Sequence, residues 1–154
     1  MKTGSNTDNK EILIEQYKLY VELTDRLSAR RNETSKFYIS LLTGLLAVLS
    51  LVLQREIAIN VQRAVFLAIG FIGITLCFVW NVNIHSYKQL AKLKFNVIHE
   101  MEKELPFDCF DREWEILGSE HQRYRRLTDV ERLVPLLLGV PYLIIIIVTI
   151  VTTF

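Results

Sequence analysis

Three stretches of the chain carry no Asp, Glu, Lys or Arg and are almost wholly apolar: Phe37–Leu53, Ala64–Val82 and Leu133–Phe154. Crossing the hydrocarbon core of a bilayer takes about 17–25 helical residues. The runs are 17, 19 and 22 residues long. They predict three transmembrane helices. Any one of them could instead be a buried core helix. Three in a chain of 154 residues would leave no polar surface to cover such a core. Thirty-six polar and amphipathic residues precede the first run. That is longer than the lead of a secretory signal, so all three spans are expected to persist.

The polar positions inside the first run are not scattered. On a helix, Ser40, Thr43, Ala47, Ser50 and Gln54 recur at spacings of 3, 4, 3 and 4 and share one face. Lipid disfavours such a face, which should look at protein or water. Small residues let helices approach closely, and hydroxyls bond across a helix contact. A circle of such helices would equally line a narrow wettable passage. The second span has its own small stripe, Gly70, Gly73, Cys77 and Asn81, read mainly as packing. The third is bulky from Leu143 to Val148, which suits lipid, and Pro135 and Pro141 should bend it. The two small stripes could also pack on each other within one subunit, so pore and packing both stay open.

The segments between the spans are helical in pattern. Leu13, Tyr17, Tyr20, Thr24 and Leu27 form a coiled-coil-like seam. A second stripe, Ile12, Gln16, Leu19 and Leu23, runs beside it. The face is wide enough for two neighbours, either other subunits or the chain's own second helix. That second helix should cover Ile84–Leu105 and stop at Pro106. Phe107, Phe110, Trp114 and Leu117 are the expected anchors of a loop and short helix that follow. Asn32 or Thr34 could start a new helix before the first span, or the helix could run on. Thr128-Asp129-Val130-Glu131 fits a capping box for the last helix.

Charge sets the expected orientation. Lys and Arg number seven before the first span, two in residues 54–63 and nine in residues 83–132. With three spans, sixteen face one side and two the other, which the positive-inside rule makes cytoplasmic. The N-terminus is therefore expected inside. Arg55 and Glu56 would lie on the outer side. Net charge is +1, too small to imply a general pull toward nucleic acid. Cys77 falls in a span and Cys109 outside one, so no disulfide is expected between them.

Candidate chemistry is sparse. His85, His99 and His121 match no metal spacing. No phosphate loop or nucleophile–histidine set can be read, so no enzyme and no cofactor are expected. Glu100, Glu102 and Glu104 read as solvated patterning. The cluster Arg123-Tyr124-Arg125-Arg126 could bind phosphates or stack on bases. Its other reading is topogenic charge at an anionic lipid surface.

The blocks YKLYVELTDRLSARRNETSKFY (17–38), SYKQLAKLKFNVIHEMEKELPF (86–107), EWEILG (113–118) and YRRLTDVERLVP (124–135) resemble, in this order, the RipA family of small bacterial inner-membrane proteins. Lys88 and Ala91 depart from its pattern, which carries Arg and often Asn there. The resemblance implies a homo-oligomer, an octamer, with a cytosolic assembly above the membrane. More loosely, proteins of this design look like membrane effectors of anti-phage systems, in which a partner nucleotidyltransferase's nucleotide signal controls a pore.

The expectation is therefore an all-α chain with three transmembrane helices and a cytosolic helical crown, assembled as a ring. Its segments are 1–36, a cytosolic helix; 37–83, a transmembrane hairpin; 84–132, a cytosolic helical region; and 133–154, the third span. Ser40, Thr43, Ala47, Ser50 and Gln54 would line a pore gated by the crown. Arg123, Tyr124, Arg125 and Arg126 would take a nucleotide or oligonucleotide ligand. The rival is a non-conducting scaffold, or an envelope-stress or virulence-associated protein.

Overall fold

The computed structural model describes residues 4–55, 58–119 and 127–153. These form four helices and no strand: α1 (Gly4–Leu53), α2 (Ile59–Glu102), α3 (Cys109–Ser119) and α4 (Leu127–Val151). The all-α expectation holds. Three of them, α1, α2 and α4, contain windows long and apolar enough to cross a membrane. At 50 and 44 residues, α1 and α2 are each longer than a crossing needs. Asn32 and Thr34 start no new helix, because α1 runs through both.

The chain divides into two compact units. One comprises Met1–Arg31 and Ser86–Arg125, the other Asn32–His85 and Arg126–Phe154. The second holds the apolar windows and is here called the membrane unit. The first carries too many charges to sit in hydrocarbon and is the aqueous unit.

The membrane unit packs α1, α2 and α4 around Tyr38, Leu42, Ile69, Cys77, Trp80, Ile84 and Tyr142. In lipid there is little hydrophobic drive between helices, so close packing and hydrogen bonds must hold them. Both are present. Tyr38 stacks on Trp80 with ring centroids 5.7 Å apart. The Asn83 amide donates to the Tyr38 hydroxyl at 2.9 Å. The Tyr142 hydroxyl donates to the Leu42 carbonyl, tying α4 to α1. Pro135 and Pro141 both lie inside α4. At the far end, Arg63 donates to the Thr152 carbonyl at 2.8 Å, satisfying one carbonyl past the end of α4.

The aqueous unit packs α1 against α2 and α3. Thr24 and Ile98 are buried, and Leu13, Tyr17, Tyr20 and Leu27 are partly so. The coiled-coil-like seam thus faces its own chain. The Lys94 ammonium lies 5.2 Å from the centre of the Tyr20 ring. Phe110 anchors α3 edge-on against Phe95. Phe107, expected as a second anchor, is instead 64% exposed. It precedes α3, in the turn after Pro106, where no helix periodicity directs it inward. The side chains of Trp114, Leu117 and Thr128–Val130 lie outside the described ones.

Candidate functional site

Three positions fix the orientation of α1 in the membrane unit. Tyr38, Leu42 and Leu45 face α2 and α4, with Leu42 fully buried. At about 100° per residue, that leaves the Ser40–Thr43–Ala47–Ser50 stripe on the far side of the helix. All four are exposed in the single chain. Gln54 is exposed as well, though it lies one residue past α1, in a turn closed by its N–H to the Leu51 carbonyl. The Thr43 hydroxyl bonds back to the carbonyls of Ile39 and Ser40, at 2.8 and 3.1 Å. Its proton is thereby satisfied within the helix, while the oxygen keeps accepting capacity.

Gly44 belongs to the same face and was not singled out from the sequence. A methyl group there would meet nothing within 4 Å. The Ser40-xxx-Gly44 spacing, a small-xxx-small pair interleaved with Thr43-xxx-Ala47, was the available signal.

The stripe on α2 has the opposite fate. A methyl added at Gly73 would fall within the ring of Tyr142. One at Gly70 would come 2.5 Å from Ile146 Cγ1. Cys77 Sγ faces Gly139. At Gly70 and Gly73 the α2 stripe is therefore filled by α4, as its packing reading required, while Cys77 and Asn81 line a groove with Pro135 and Gly139 of α4. The two small stripes do not pack on each other within one chain. Within Leu143–Val148, Leu143, Ile144, Ile147 and Val148 are exposed, whereas Ile145 and Ile146 are half-buried, Ile146 against Gly70. The lipid-facing reading of this segment therefore covers only part of the helix.

The aqueous unit contains a buried acid. Glu102, read from sequence as solvated, is fully buried. Its Oε1 accepts from the Tyr17 hydroxyl at 2.9 Å and from the Phe110 N–H at 3.1 Å. Its Oε2 accepts no hydrogen bond among the described residues. His99 Nδ1 lies 3.7 Å from that oxygen and 2.9 Å from Asp111 Oδ1, a close approach without an aligned hydrogen bond. Burial, then the bond to Glu102 and its charge, push the Tyr17 hydroxyl well above the usual phenol range. One carboxylate thus ties together α1, the end of α2 and the start of α3. Its partner Tyr17 is 85 residues away in sequence, so local patterning could not reveal it.

Arg123, Tyr124, Arg125 and Arg126, proposed from sequence as a ligand site, lie outside the described residues, as does Glu56. No curated protein and no solved structure matches the chain. The description of one family, the octameric membrane proteins (8xMP), matches residues 14–151. That agrees with the expected class of small oligomeric membrane proteins and carries the 8xMP description rather than the RipA name. A match over nearly the whole chain, joined to three apolar helices that can cross a bilayer, makes this a multi-pass membrane protein belonging to the octameric membrane protein family.

Proposed function

We propose that eight copies form a ring whose axis is an ion path lined by α1, with the aqueous helices controlling its opening. One observation carries this reading. The stripe Ser40, Thr43, Gly44, Ala47 and Ser50 is exposed on the face of α1 turned away from its own chain, while the comparable stripe on α2 is filled by α4 at Gly70 and Gly73. An octamer supplies what the single chain lacks, a setting in which hydroxyls need not face acyl chains. Eight copies of Thr43 and Ser50 around one axis give a path that water can wet.

In this reading the protein is not an enzyme. It sits in a bacterial inner membrane with its N-terminus cytoplasmic, as the sixteen-to-two distribution of Lys and Arg supports. The cluster Arg123–Arg126 is the first place to seek a gating nucleotide or oligonucleotide. A nucleotidyltransferase partner and an anti-phage role are the corresponding biology.

The test is ion flux from liposomes holding the purified octamer, with and without nucleotides. Flux is expected, and the double variant Thr43→Phe/Ala47→Phe should lower it on the order of tenfold or more by narrowing the path. Absence of flux under every ligand condition ends the channel reading.

A second reading has its own support. Ser40-xxx-Gly44 and Thr43-xxx-Ala47 are the spacings that bring helices into direct contact, and the Thr43 proton is already satisfied within α1. A close-packed, non-conducting scaffold uses the same face. A view down the axis of the octamer separates the two: a wetted path for the channel, interlocked side chains for the scaffold.

A further inference from the structure

The aqueous unit has one flank that α3 covers and one that it does not. On α2, Lys94 and Glu102 meet Tyr20 and Tyr17 of α1, so the fully buried Ile98 midway between them marks the direction of α1. Phe95 and His99, which meet Phe110 and Asp111 of α3, lie about 60–100° to one side of Ile98. Leu90 and Leu93 lie about 80–140° to the other side. They are 44% and 62% exposed. On α1, Thr24 is buried and marks the direction of α2. Ile12, Leu19 and Leu23 lie about 100–140° to one side of Thr24. Because the helices pack antiparallel, that is the flank of Leu90. All three are exposed. Five large apolar side chains thus share the bare flank, while the α3 flank presents the exposed Phe107 beside Asp111 and Arg112.

We infer that the bare flank formed by Ile12, Leu19, Leu23, Leu90 and Leu93 is covered by a second copy of this chain, which presents its α3 flank, with Phe107 as the anchor. The inference rests on the ring arrangement proposed above. A cyclic octamer needs a head-to-tail contact, which joins two different surfaces of each copy. The family is octameric, and the aqueous unit offers an apolar patch on one flank and the exposed Phe107, set among charged residues, on the other. Their heights also match. Tyr17 bonds to Glu102 at the end of α2. Ile12, five residues before Tyr17, therefore sits about 7.5 Å beyond that level, where the chain has left α2 for Phe107. Phe107 is thereby placed to reach Ile12 of the next copy. This also accounts for the second stripe of α1, which its own chain leaves open.

The test is cross-linking of the full-length protein in membranes, in a Cys77→Ala/Cys109→Ser background. Ile12→Cys and Phe107→Cys are combined. A flexible bismaleimide is used, because a direct disulfide needs Cα atoms within about 7 Å. A ladder reaching eight chains is expected, and it must require both cysteines. Adding Leu19→Glu and Leu23→Glu should lower its yield on the order of tenfold. Helix content should stay unchanged, because both residues are exposed in the free chain. The inference is overturned if the pair gives no ladder in a preparation that native mass spectrometry shows to be octameric. It is also overturned if Ile12→Cys alone gives dimers, which would mean a two-fold contact, or if the glutamates leave the ladder intact. Ladder failure with flux retained removes this contact alone. A ladder without flux removes the channel alone.

Discussion

Replacing Gly73 by alanine puts a methyl group where the ring of Tyr142 already lies. Two responses are open. Tyr142 can swing aside, but it is fully buried and its hydroxyl holds the Leu42 carbonyl. Losing that bond costs about 0.5–1.5 kcal/mol. Otherwise α4 moves away from α2, with the strain of an overfilled core, about 1–3 kcal/mol. Alanine returns up to about 1 kcal/mol through its helix propensity. The propensity gain is shared with the Gly44→Ala control, so against that control the loss expected is about 0.5–3 kcal/mol, or roughly 2- to 150-fold in the unfolding equilibrium. Gly44→Ala is the paired control, because a methyl there meets nothing within 4 Å of its own chain. Denaturation of both variants in mild detergent, followed by far-ultraviolet circular dichroism, gives the comparison. Gly73→Ala should unfold early. Gly44→Ala should match or exceed the parent in the fold of the single chain. Any defect it shows in assembly then reports on the contact between copies. If Gly73→Ala is as stable as Gly44→Ala, the packing of Tyr142 over α2 is wrong.

Other outcomes follow from the same geometry. Tyr142→Phe keeps the ring and removes only its hydroxyl. It should cost about 0.5–1.5 kcal/mol in the same assay. Glu102→Ala leaves the Tyr17 hydroxyl and the Phe110 N–H without their acceptor and should loosen α3 first. Hydrogen exchange across residues 109–119 should then accelerate by about tenfold or more while residues 37–53 keep their protection. Tyr17 is held protonated in the fold, whereas an unfolded tyrosine titrates near pH 10. The folded state therefore binds the extra proton above that pH, so the stability of the aqueous unit should be intact below pH 10 and fall as pH rises beyond it. Tyr17→Phe should flatten that slope in melts taken between pH 8 and 11.

Most of the architecture could be read from hydropathy because each span is a long uncharged run, and three such runs admit few other folds. The aqueous seam was legible for a similar reason, since Leu13, Tyr17, Tyr20, Thr24 and Leu27 repeat on one face. The fate of the two small stripes was not. Both spacings fit packing equally well, and the choice between them depends on the bulk of Tyr142 and Ile146, which lie about seventy residues beyond α2's glycines. Glu102 was misread for a related reason. Its neighbours Glu100, Lys103 and Glu104 are exposed, so the local pattern is that of a solvated helix end. Only the fold brings Tyr17 and Phe110 to it. Gly44 was passed over because a glycine with nothing against it leaves no mark within a single chain.

In the proposed channel, the face of α1 carrying Thr43 lines water at the axis of the octamer. The decisive measurement places single cysteines at Thr43, Ala47, Ser50 and Val48, each in a Cys77→Ala/Cys109→Ser background, under a membrane-impermeant thiol reagent during current recording. Thr43→Cys, Ala47→Cys and Ser50→Cys should be modified and change the current, while Val48→Cys, on the neighbouring apolar side, should not. Silence at all three stripe positions, or equal reaction at Val48→Cys, would contradict this lining.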